Sequence, residues 1–115
     1  MPKTKKELIA KYKQTLPDAG MYRIVNIQTG KFYLGSAMDL KGKKNRLQFA
    51  KMTATVATFP MVMAADIKQY GFDAFSFEIL EGIKPKPEMN VDDVREELKI
   101  LEELWREKLE DEEQY

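Results

Sequence analysis

The sequence predicts an α+β domain built on a three-stranded antiparallel sheet, an N-terminal β-hairpin plus a third strand, flanked by helices. Three observations carry this expectation. Residues 21–27 and 32–35 are rich in β-forming side chains and flank the turn-forming run Gln28-Thr29-Gly30-Lys31. Phe75-Ser76-Phe77-Glu78-Ile79-Leu80 alternates well enough for a third strand, and the segments around it carry apolar residues at helical spacing. A length of 115 residues suits one compact unit, here divided into an N-terminal helix over 1–17 and a globular unit over 18–115.

The elements follow in order. Thr4 and Glu7 have the spacing of a capping box, and Leu8, Ile9, Tyr12 and Leu16 continue a short amphipathic helix up to Pro17. In the hairpin, alternation puts Tyr22, Ile24 and Asn26 on one face and Met21, Arg23, Val25 and Ile27 on the other. Phe32 and Leu34 oppose Tyr33 in sense, so the two tyrosines share a sheet face if the register allows. Asp39 is a plausible N-cap for a basic helix through Met52, on which Leu40, Lys43 or Leu47, and Phe49 or Ala50 trace the buried stripe. A helix from Pro60 through Tyr70 should stop at Gly71. From Asp92 a long helix carries Val94, Leu98, Leu101 and Trp105 on one stripe, with Ile100 and Leu104 on its flank.

Composition narrows the chemistry. The chain has no cysteine and no histidine, which excludes disulfides, thiolate or imidazole metal sites, cysteine nucleophiles and histidine bases. No apolar run is long enough to span a bilayer and the charged N-terminus leads into no secretory signal, so a soluble, cytoplasmic protein is expected. The net charge of zero hides an asymmetry. Residues 1–51 hold twelve Lys or Arg against Glu7, Asp18 and Asp39, whereas residues 91–115 hold eleven Asp or Glu against Arg95, Lys99, Arg106 and Lys108. That pattern suits either two solvated faces or a basic surface for phosphates backed by an acidic helix.

The hairpin reads Gly20-Met21-Tyr22 and then Tyr33-Leu34-Gly35, followed by Gly35-Ser36-Ala37 with Asp39-Leu40. Tyr70-Gly71 precedes the third strand, and Glu102 and Trp105 form a Glu-x-x-Trp pair on the last helix. In this order the residues resemble the GIY-YIG nuclease family, with one conservative change in each triplet, over Gly20 to about Leu109. The resemblance implies metal-dependent hydrolysis of DNA phosphodiesters. It implies that Tyr22 positions or deprotonates the attacking water, that Tyr33 supports water or phosphate, and that Glu102 ligates Mg²⁺ or Mn²⁺.

The family's phosphate-clamping arginine falls on Lys43, which keeps the charge but loses the planar two-donor fork. Arg46, one helical turn on, is the available substitute, and an auxiliary base position reads Leu47. Lys41, Lys44, Arg46 and Lys51 are the candidate nucleic-acid contacts around it. Three functions compete: a nuclease of weakened or lost activity, a non-catalytic nucleic-acid-binding module, and a protein-interaction domain. DNA is the expected partner, with a protein partner supplying any sequence specificity.

Overall fold

The computed structural model describes residues 16–115, so the helix expected over 1–17 lies outside the described residues except for Leu16 and Pro17. The sheet has strands β1 (Ala19–Asn26), β2 (Phe32–Ala37) and β3 (Phe75–Ile83) in the order β2-β1-β3, both pairs antiparallel. Helix α1 (Leu40–Thr53) follows the hairpin, α2 (Ala64–Tyr70) precedes β3, and α3 (Val91–Lys108) follows it. Among the described residues no helix is long and apolar enough to cross a membrane.

Alternation along the central strand builds two cores. Tyr22 and Ile24 are buried with Leu40, Leu47 and Ala50 of α1 and Ile67 of α2 on one side of the sheet. Met21 is buried with Phe32, Leu34, Val94 and Leu98 on the other, under α3. Each buried Leu or Val of these stripes contributes about 1.5–3 kcal/mol relative to an exposed one. The hairpin turn closes through the Gly30 amide donating to the Asn26 carbonyl at 2.7 Å, with Gly30 at φ 81°, a conformation open to glycine at little cost.

Helix starts follow their caps. The Asp39 carboxylate accepts from the Gly42 amide at 3.0 Å, satisfying one of the unpaired donors at the start of α1. Asn90 and Asp93 form a reciprocal capping box, which starts α3 at Val91, one residue earlier than expected.

The structure refines several expectations. The stripe of α1 is completed by Ala50, while Phe49 is 65% exposed. The helix expected from Pro60 opens as a 3₁₀ turn over Met61–Met63 and becomes α-helical only at Ala64, stopping at Gly71 as its sequence suggests. Strand β3 runs three residues past Leu80, because Glu81, Gly82 and Ile83 pair with Met21, Gly20 and Ala19. Leu80 is the extra residue of a bulge between the Met21 and Tyr22 pairings. Ile27 lies beyond the end of β1 and does not continue the face of Met21 and Arg23; it lines a groove between α1 and β3.

Candidate functional site

The register that pairs Tyr22 with Gly35 and Ile24 with Tyr33 places the two tyrosines diagonally on the α1 side of the sheet. Tyr22 is 4% exposed, and its ring stacks on Phe77 of β3 with centroids 4.9 Å apart. Tyr33 is half-buried at the same core. From above, α1 brings the half-buried Lys43, whose Nζ lies 6.0 Å from the centroid of the Tyr22 ring, and the exposed Arg46 one turn on. Two phenols and two cations therefore meet at one place.

Their electrostatics follow from that crowding. Burial pushes the Tyr22 phenol up to about 12, the neighbouring Tyr33 adds to the rise, and Arg46 opposes it. At neutral pH Tyr22 is thus a protonated phenol, a hydrogen-bond donor rather than a base. Burial lowers the pKa of Lys43, and the adjacent Arg46 lowers it further. Neither cation has an acidic partner among the described residues, whose ion pairs are Arg23 with Glu78, Arg95 with Asp92 and Arg106 with Glu102. Like charges held together in this way are relieved by an anion.

The other sequence candidates divide. Lys41 and Lys44 are exposed on α1, beside the cluster in sequence. The Lys51 ammonium donates to the Phe75 carbonyl and ties α1 to the start of β3. Leu47 is 2% exposed and belongs to the core, as its side chain dictates. Glu102 rides on α3, the helix whose stripe packs the opposite side of the sheet from the tyrosines. Its Oε1 accepts from Arg106 at 2.8 Å. Glu102 is half-buried and Glu103 exposed, as helical spacing required.

Among the described residues the carboxylates form no preformed metal centre. Among the described residues no group of three or more acidic side chains converges, and the Glu102 carboxylate already has a guanidinium partner. Mg²⁺ commonly takes one or two carboxylates and draws its other oxygen donors from water and substrate phosphate.

Two features escaped the sequence reading. Phe77 forms a wall of the Tyr22 site, although its period-2 relation to Phe75 was a sufficient signal. The second is a polar network at the far end of the hairpin. The Asn26 amide donates to the Tyr115 hydroxyl at 3.2 Å, and that hydroxyl donates to Asp66 at 2.6 Å. Residues 113–115 reach it by hydrogen bonding along Phe32 of β2.

No family model and no curated protein sequence matches the chain. Among solved structures it is similar to the catalytic domain of the homing endonuclease I-TevI, with a TM-score of 0.56 and 21% identity, over 82% of this chain and 90% of that one. A mutant of the catalytic domain of the intron endonuclease I-TevI gives a TM-score of 0.47 at 23% identity, over 73% and 84%. The first likeness shows the fold: the three-stranded antiparallel sheet with its flanking helices is a GIY-YIG-like architecture.

Proposed function

We propose that the chain is a phosphodiester-handling domain of the GIY-YIG type, acting on DNA as a nuclease of weakened activity. The observation that carries this reading is the meeting of Tyr22, Tyr33, Lys43 and Arg46 on one side of the hairpin. A phosphodiester brought to that cluster receives positive charge from Lys43 and Arg46 and a hydrogen bond from the Tyr33 or Tyr22 hydroxyl. Lys41 and Lys44 extend the basic surface along the strand backbone, with little sequence preference of their own.

Two features support weakening. Tyr22, held as a phenol up to about 12, orients water or phosphate but does not remove a proton near neutrality. Lys43 presents a point charge where a guanidinium would hold two oxygens at fixed geometry. The Glu102–Arg106 pair favours the second reading, a nucleic-acid-binding module without turnover, because the carboxylate that would serve chemistry is engaged by a guanidinium on its own helix.

Plasmid nicking in Mg²⁺ or Mn²⁺, with wild type, Glu102→Ala and Lys43→Arg purified identically, separates the two. Nicking by wild type that is lost in Glu102→Ala supports the nuclease. Activity gained only in Lys43→Arg marks a disabled clamp on an intact scaffold. Absence of nicking in all three, with DNA still bound, moves the function to the binding module.

A further inference from the structure

Next to the Tyr22 cluster, and sharing Phe77 with it, a cavity of about 460 Å³ opens between α1 and β3. Its size lies within the range of roughly 300–1,000 Å³ that small ligands occupy. Its lining is chemically mixed in a specific way. Lys44 and Gln48 enter from α1, Asp73 from the 3₁₀ turn before β3, Ser76 and Phe77 from β3, and Ile27 from the end of the hairpin. The Lys51 ammonium is held by the Phe75 carbonyl, so it fixes the groove wall.

We propose that this groove is a nucleotide subsite: it receives one unstacked nucleotide of the strand whose phosphodiester lies at the Tyr22 cluster, and it prefers a base that carries an amino group. The proposal rests on the phosphodiester reading above. Lys44 supplies the cation for that nucleotide's phosphate. Phe77 and Ile27 are apolar surfaces for the face of a base. Phe77 is shared with the Tyr22 site through its stacked ring, so a nucleotide against it is adjacent to the phosphate at the cluster. Asp73 is the informative member. A carboxylate disfavours a groove meant for phosphate alone, but it is the natural acceptor for the amino group of cytosine or adenine, which thymine lacks. Gln48 adds an amide that reads a base edge from the opposite wall.

The test is fluorescence anisotropy of the full chain with short oligo(dC) and oligo(dT), which share a backbone and differ little in ring size. Without divalent cation, wild type is expected to bind oligo(dC) about fivefold or more tightly than oligo(dT), the ratio that one base contact of this kind supplies. Asp73→Ala should weaken that preference towards equality, and Gln48→Ala should reduce it in part. If Asp73 acts only through its charge, its removal tightens both oligonucleotides equally and leaves the ratio intact, which overturns the proposal. Equal binding of both oligonucleotides by wild type overturns it without any variant. Binding of neither overturns the subsite, and duplex binding measured alongside then decides the phosphodiester reading by itself.

Discussion

Tyr22 and Gly35 face one another across β1 and β2 so closely that a Cβ on residue 35 would lie 2.5 Å from the Tyr22 hydroxyl oxygen and 2.6 Å from the carbon bearing it. The glycine that ends the second triplet is therefore the space in which the tyrosine of the first triplet lies. Gly35→Ala should cost about 1–3 kcal/mol in urea unfolding, as overpacking does. In a Tyr22→Ala background the same change should cost less, a coupling of about 1 kcal/mol that a double-mutant cycle measures.

The phenols of Tyr22 and Tyr115 set a pH window. Tyr22 and Tyr115 are each raised to about 12, Tyr22 chiefly by burial and Tyr115 by burial and its hydrogen bond to Asp66. The unfolded chain ionises its tyrosines near 10, so it releases protons at a pH where the folded chain still holds them. The stability they contribute is complete below about pH 10 and falls as pH rises towards 12. Chemical unfolding across that window should show the loss, and Tyr22→Phe should make the dependence shallower.

Tyr115 closes the polar end of the hairpin core. Asn26 is fully buried, and Tyr115→Phe removes the acceptor of its side-chain amide while leaving Asp66 without a donor. A buried group left without its partner costs about 1–3 kcal/mol. The urea midpoint should drop accordingly, with the slope of the transition unchanged.

The extent to which this was legible in the sequence depends on the range of the signal. The hairpin, its two faces and the shared side of Tyr22 and Tyr33 follow from alternation, a property of neighbours in the chain. Asp39 as cap is equally local. The extension of β3 to Ile83 is not, since Glu81, Gly82 and Ile83 look like loop until they meet Ala19, Gly20 and Met21. Tyr115 lies at the end of an acidic run, and only the folded β2 edge gives it a partner. At the site, the basic character of α1 was plain, whereas the bond from Lys51 to the Phe75 carbonyl depends on how α1 meets β3. The Glu102–Arg106 pair is the converse: its i, i+4 spacing made it readable, but a family motif on the same glutamate pointed elsewhere.

Both readings of function require that Lys43 and Arg46 meet phosphate, so the salt dependence of DNA binding tests that claim most directly. Affinity for a labelled duplex is measured over a series of KCl concentrations for wild type and the Lys43→Gln/Arg46→Gln double variant. The variant should bind more weakly, with a salt slope reduced by about two, one for each lost phosphate contact. An unchanged affinity and slope in a folded variant would contradict it.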